Sequence, residues 1–250
     1  MTQNIQHIIK ARNVVKKFSL GQREITVIND LELNVDAGEF VILMGPSGSG
    51  KTTLINLLGG IDRVTAGSIV YSLNHSYKKI KSSKEEGIDI TKLNDSQLSS
   101  FRRKNLSYVF QFYSLIPTLS ARENVQLMAE LVGFKGKELH QQAEKWLTVV
   151  GLEDRMDSFP GQLSGGENQR VAIARAIAKE PLILLCDEPT GQLDLKNSMQ
   201  VVETLRNVCK ETKTTIIMVT HDAAFKKYGD RIIYLQDGQI VTTDLNFPEL

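Results

Sequence analysis

The sequence predicts an α/β fold organised around a phosphate-binding loop, and three observations carry that expectation. Residues 40–44, Phe-Val-Ile-Leu-Met, form an apolar run that leads into Gly45-Pro46-Ser47-Gly48-Ser49-Gly50-Lys51-Thr52-Thr53 and then into the helical pattern Leu54-Ile55-Asn56-Leu57-Leu58. Strand, glycine-rich turn and helix are the context that the spacing Gly-x-x-x-x-Gly-Lys-Thr requires. Residues 181–186 are continuously apolar and read as a fully buried parallel strand. Residues 214–219 read as another, and both end in polar residues.

Before the loop, residues 8–15 and 25–35 read as strands around the polar, glycine-containing connection Lys16-Lys17-Phe18-Ser19-Leu20-Gly21. Phe18 is the only aromatic in that connection, and two readings stand: a packing residue, or a stacking face for a purine base. In the loop itself, glycines at 45, 48 and 50 let backbone N–H groups turn inward as an anion nest at a helix N-terminus. Lys51 supplies a mobile positive charge for the β- and γ-phosphates, and the Thr52 hydroxyl can ligate Mg²⁺. Ser47, Ser49 and Thr53 complete the candidate nucleotide site.

Residues 67–71 predict a strand, and residues 72–87 a polar, lysine-rich surface excursion that contains His75. A helix over 93–104 ends in Arg102-Arg103-Lys104, where cations suit the dipole. Leu106 to Phe110 returns to strand and stops at Gln111, an amide placed where such sheets bind ligands. Helical periodicity resumes at 121–131 and 137–150, with breaks at Gly133, Gly136 and Gly151. This block reads as a helical subdomain inserted into the nucleotide-binding core.

The strand at 181–186 ends in Asp187-Glu188. One carboxylate can hold the Mg²⁺ shell while Glu188 polarises the attacking water; an acidic strand end in solvent is the plainer reading. The strand at 214–219 ends in Thr220-His221-Asp222, and His221 could donate to a γ-phosphate. Leu163-Ser164-Gly165-Gly166-Glu167 precedes the helical pattern 171–179, whose apolar positions 171, 174 and 178 share one face. Ser164, Gly165 and Gly166 therefore sit at a helix N-terminus and offer a second phosphate site, although a simple cap also explains the serine.

At 250 residues the chain can bury a substantial core without staples. Lys plus Arg number 30 against 29 Asp plus Glu, so the net charge gives no support to global attraction for nucleic acid and leaves only local patches open. Two cysteines, Cys186 and Cys209, are too few for a disulfide framework and suit a reducing compartment. No signal peptide is visible at the start, and the longest apolar runs are far shorter than the roughly 20 residues that span a bilayer.

Taken in order, these motifs resemble the ATP-binding subunits of ABC transporters across nearly the whole chain. The set is the loop at 45–53, Gln111 after Val109-Phe110, Leu163-Ser164-Gly165-Gly166-Glu167, Leu184-Leu185-Cys186-Asp187-Glu188-Pro189, Leu193-Asp194, and His221 after Val219-Thr220. The resemblance implies one nucleotide-binding domain over 1–250. Within it, residues 1–110 and 170–250 form a RecA-like ATP-binding core with an antiparallel β subdomain, and about 112–168 form the helical subdomain. It also implies a homodimer on ATP binding, each ATP lying between one subunit's phosphate loop and the other's Ser164-Gly165-Gly166, with Mg²⁺ held by Thr52, Gln111 and Asp187. Asp194 is then a cross-dimer contact and Phe18 the base-stacking aromatic, where tyrosine is commoner. Glu188, His221 and Gln111 are the implied catalytic group.

Within the family the wording resembles the lipoprotein-releasing, macrolide-exporting and cell-division subgroup, on Phe110-Gln111-Phe112-Tyr113-Ser114-Leu115-Ile116-Pro117, Glu123-Asn124-Val125, Phe159-Pro160-Gly161-Gln162-Leu163 and Glu188-Pro189-Thr190-Gly191-Gln192-Leu193-Asp194. Gln192 replaces the usual asparagine, and the excursion at 72–87 is longer than usual. The expected partner is a separate integral-membrane permease with few spans and a large extracytoplasmic domain. The chain itself is expected in the cytoplasm, peripheral on the inner face of the cell membrane. A regulatory ATPase that signals through a permease-like partner to a cell-wall hydrolase or sensor kinase would use the same residues. ABC proteins of ribosomes usually carry two cassettes and those of DNA repair a long coiled coil; neither fits this length, and no nucleic-acid partner is expected.

Overall fold

Apolar strands that alternate between two buried faces need cover on both sides, and that requirement organises the molecule. The computed structural model describes residues 7–21, 23–73 and 87–242. Most of the expected excursion at 72–87, with His75, lies outside the described residues.

Two sheets are present. The first is antiparallel, in the order β2-β1-β4-β5, from β1 (His7–Leu20), β2 (Arg23–Asp36), β4 (Ala66–Tyr71) and β5 (Ile88–Asp89). The second runs β10-β9-β3-β8-β7-β6, from β3 (Phe40–Met44), β6 (Leu106–Phe110), β7 (Ile183–Asp187), β8 (Thr215–Val219), β9 (Arg231–Gln236) and β10 (Gln239–Thr242). It is parallel apart from the antiparallel edge pair β9-β10. Alternate residues of the central strands enter different cores. Phe40, Ile42, Leu184, Cys186, Ile216 and Met218 join the helices α3 (Ala121–Glu130), α4 (Gly136–Val149), α5 (Gly165–Ile177) and α6 (Leu195–Thr212). Val41, Leu43, Ile183, Leu185, Ile217 and Val219 join α1 (Lys51–Leu58), α2 (Asp95–Asn105) and the antiparallel sheet. Both cysteines are free and buried, as small core residues.

The structure departs from the sequence reading in three places. The polar stretch 16–21 is almost wholly strand: β1 continues to Leu20, with Lys17 opposite Thr26 and Phe18 opposite Ile25, because a ladder needs backbone partners rather than apolar side chains. Helix α6 and the β9-β10 hairpin are elements that the sequence reading does not assign. Finally, α5 is buried nearly all round, including Asn168, Gln169, Ala172 and Ile173, because α3, α4, α6 and β6 all pack on it. The expected face at 171, 174 and 178 is only part of its contact surface.

The stretch 116–120 that leads into α3 is held by a buried amide. Asn124, fully buried, accepts from Ile116 N (2.8 Å) through Oδ1. Its Nδ2 donates to the carbonyls of Ile116 (3.1 Å), Leu119 (3.0 Å) and Ser120 (3.0 Å). Asn124→Ala should lower unfolding free energy by about 1–3 kcal/mol, the cost of leaving buried polar groups unpaired. Urea denaturation checks it; a midpoint equal to wild type would refute Asn124 as the anchor.

Candidate functional site

Parallel register sets the level of the site. Asp187 is the partner of Phe110 on one side and of Val219 on the other, and Val219 is the partner of Leu43. The four strands therefore end together. The phosphate loop, Gln111, Glu188 and His221 come next in the chain after these strands and emerge at one edge, as expected for ligand sites in such sheets.

The loop closes against the neighbouring hairpin. Gly45 has φ +148°, and a methyl group there would overlap the Leu235 carbonyl oxygen. Gly50, with φ +102°, caps α1 and lies where a methyl carbon would come within 2.9 Å of Ile28 Cδ1 and 3.0 Å of Val27 O. Both positions combine a positive φ with close backbone approach, which only glycine tolerates. Lys51 is buried, and its Nζ donates to the carbonyls of Gly45 (2.9 Å) and Pro46 (2.8 Å). The charge expected to be mobile is thus held by the loop itself. Ser49 Oγ is buried without a hydrogen-bond partner on the packed side of the loop, beside Gly45, which leaves the loop N–H groups to meet an anion.

Across the edge, Thr52 Oγ1 donates to Asp187 Oδ1 at 3.2 Å. Burial raises the Asp187 carboxyl above its ordinary value; Thr52 and the Lys51 charge oppose the rise, and Glu188 adds to it. A cation beside Thr52 and Asp187 would relieve that desolvation. Among the described residues no cluster of three or more His, Cys, Asp or Glu side chains could hold a metal. A hydroxyl plus one carboxylate fits Mg²⁺, which takes its remaining oxygens from phosphates and water.

Glu188 leaves β7 with φ +45°, a conformation that favours glycine and concentrates at functional sites. Its N–H donates to Val219 O (3.2 Å), its carbonyl accepts from Gly191 N (3.1 Å), and its Oε1 lies 3.5 Å from Nδ1 of the exposed His221. Gln111 packs over the same turn: a methyl group on Gly191 would come within 2.8 Å of Gln111 Nε2. Asp187, Glu188, His221, Gln111, Thr52 and Lys51 are therefore brought together.

Among the described hydrogen bonds and close approaches, none joins Ser164, Gly165 or Gly166 to that group. Ser164 caps α5 with a reciprocal box: its Oγ accepts from Glu167 N (3.3 Å), and Glu167 Oε2 accepts from Ser164 N (2.8 Å). These hydrogen bonds hold Glu167 below its usual carboxylate value. Gly165 lies under Tyr113 and Gly166 under Asn197, whose amide and backbone N–H both donate to Asp194, the cap of α6. While α1 packs on β2, β7 and β8, α5 packs on α3, α4, α6 and β6. Phe18 lies on the exposed part of β1.

Sequence reading missed the hairpin beneath the loop, where Gly238 N donates to Ser49 O (3.2 Å) and Asn29 N to Gly238 O (3.0 Å). Its signal was legible, since Asp237-Gly238 between two alternating runs is a two-residue turn with both φ positive. It also missed Gln169 and Arg175 of α5, which donate to Phe110 O (3.1 Å) and to the carbonyls of Tyr113 (3.0 Å) and Ser114 (2.6 Å). No local pattern marks those two.

The family profile described as ABC transporter matches residues 28–191. The lipoprotein-releasing system ATP-binding protein LolD of Syntrophotalea carbinolica is 39% identical over 93% of this chain and 96% of its own length. The bacitracin export ATP-binding protein BceA of Halalkalibacterium halodurans is 37% identical over 94% of this chain and 87% of its own. A solved dimeric structure of the ATP-binding cassette MJ0796, in a post-hydrolysis state bound to ADP and Pi, superposes with a TM-score of 0.80 at 37% identity, covering 96% of this chain and 99% of that one. MJ0796 is a protein of Methanocaldococcus jannaschii. With a family profile over most of the chain and relatives similar from end to end, the chain belongs to the ABC transporter family and is one of its ATP-hydrolysing subunits.

Proposed function

We propose that the chain closes on a second copy of itself to enclose two ATP molecules, and that closure and hydrolysis drive a separate membrane permease of the export or mechanotransmission type. The observation that carries this is that one chain presents two elements suited to phosphate, the loop and the N-terminus of α5, that no described hydrogen bond joins. The phosphate loop lies at the strand ends, whereas Ser164 caps a helix that packs on α3, α4 and α6. A two-fold pair, in which each loop meets Ser164 of the partner subunit, closes both sites. MJ0796, which is dimeric with ADP and Pi, supports the arrangement. The release and export named for LolD and BceA favour transport over the regulatory alternative.

In this reading Lys51 exchanges the Gly45 and Pro46 carbonyls for β- and γ-phosphate oxygens, and the loop N–H groups with Ser47, Ser49 and Thr53 surround the remainder. Thr52, Asp187 and Gln111 would hold Mg²⁺, which neutralises phosphate charge. Glu188 takes the proton of the attacking water, and His221 donates to the γ-phosphate. Asp194 contacts the partner subunit, and Phe18 stacks on the base. Residues 1–110 and 170–250 act as the ATP-binding core and 112–168 as the helical subdomain that meets the permease, near Gln111 to Pro117. Among the described residues no helix is long and apolar enough to cross a membrane. In this reading the permease supplies the spans, and the ATPase subunit docks on its cytoplasmic side, at the inner face of the membrane.

Glu188→Gln keeps the size of the side chain but cannot accept the proton. Turnover should fall about 10²–10⁴-fold, while nucleotide affinity holds and an ATP-bound dimer accumulates on size-exclusion chromatography. Brisk phosphate release by this variant would refute the assigned base. Lys51→Ala removes the charge-assisted contacts to phosphate, and calorimetry should show ATP binding weaker by about tenfold or more. Unchanged affinity would refute the cradle.

A further inference from the structure

Strand β1 is fastened to the segment that comes after α1. Thr65 N donates to Val15 O (2.8 Å) and Lys17 N to Thr65 Oγ1 (2.9 Å). Between them Lys16 Nζ donates to Asp62 Oδ1 (2.7 Å) and to Arg63 O (2.9 Å). The Lys16 side chain is only 11% exposed, so this pair is shielded from water more than an ordinary surface bridge. Asp62 is in turn tied to α1, because its own N–H and that of Ile61 both donate to Asn56 O (3.2 and 2.9 Å). The same Lys16 ammonium lies 4.5 Å from the centroid of the Phe18 ring, and Phe18 is 41% exposed. One covalent and hydrogen-bonded path thus runs from Phe18 through Lys16, Asp62 and α1 to the phosphate loop.

We propose that Lys16 is a positioning residue for the nucleotide base: anchored on Asp62 and Arg63, it covers part of the Phe18 ring and fixes the distance from that ring to the phosphate loop. The inference rests on the reading of Phe18 as the base-stacking aromatic. A cation held over a ring is attracted by its π-face and restricts its rotation, so the base meets a platform already ordered. The clamp also joins the two subsites that one nucleotide must span. A ring free to swing would lose stacking while the phosphate contacts remained.

The test compares Mg-ATP with inorganic tripolyphosphate, which has no base, by calorimetry on the full chain. Phe18→Ala should weaken ATP binding about tenfold, the size of a lost base-stacking contact. Lys16→Met should weaken it about three- to tenfold, Lys16→Arg should recover most of that loss, and the Lys16→Met, Phe18→Ala double variant should bind no more weakly than Phe18→Ala alone. Tripolyphosphate affinity should stay at the wild-type value in all of them. If Phe18→Ala binds ATP normally, the base platform itself fails. If Phe18→Ala weakens ATP but Lys16→Met does not, or if Lys16→Met weakens tripolyphosphate equally, the positioning role is overturned while the platform stands. Should Lys16→Met not fold, Asp62→Asn replaces it: ATP weakened with tripolyphosphate unchanged supports the proposal, and wild-type ATP affinity overturns it.

Discussion

Parallel pairing of β3, β8, β7 and β6 puts Leu43, Val219, Asp187 and Phe110 at one level. Everything chemical depends on that register, because side chains from four distant stretches of sequence come within reach only if the strands end together. A slip of one residue in β7 would turn Asp187 to the opposite face and take its carboxylate from Thr52. The register is protected by burial on both faces: Leu184 and Cys186 fill one core while Ile183 and Leu185 fill the other. The site is therefore only as well defined as the packing of strands that never touch a ligand.

A second constraint links that edge to the helical side of the molecule. Gln111 leaves β6 and packs over Gly191, but the chain on either side of it is held by α5, through Gln169 to Phe110 and Arg175 to Tyr113 and Ser114. Helix α5 also begins at Ser164, with Gly165 pressed under Tyr113. The segment around Gln111 is thus hydrogen-bonded to the helix that carries Ser164. These are charge-assisted and amide hydrogen bonds to backbone carbonyls, which resist sliding better than apolar contact does.

Much of this was legible in the sequence because it is local. The loop at 45–53, the continuous apolar runs of β7 and β8, the cap at Ser164 and the polar residues that end each strand are short-range patterns with direct physical causes. Helix α6 has a legible stripe, Val201, Val202, Leu205, Val208 and Cys209, and Asp237-Gly238 is a legible turn; both obey ordinary periodicities that the sequence reading passes over. What local pattern could not disclose were pairings over long separations. The Lys16 bridge to Asp62 joins residues 46 apart, and the Arg175 bond to Ser114 joins residues 61 apart. The strand through 16–20 likewise depends on a partner ladder, which side-chain polarity does not report.

The same edge holds two groups away from their relaxed states. Asp187 is a carboxylate whose ionised form is disfavoured by burial, and Glu188 sits at φ +45° beside it. Lys51, instead of pairing with either, donates to two carbonyls of its own loop. Each arrangement leaves an interaction that nucleotide and cation would improve: negative phosphate for Lys51, positive charge for Asp187, and N–H partners that the loop keeps for an anion. Because the backbone around Gly45 and Gly50 is already turned and packed against Leu235 and Val27, binding need not reorganise it. In the proposed cycle, binding energy can then go into closing the dimer and moving the permease, rather than into folding the loop.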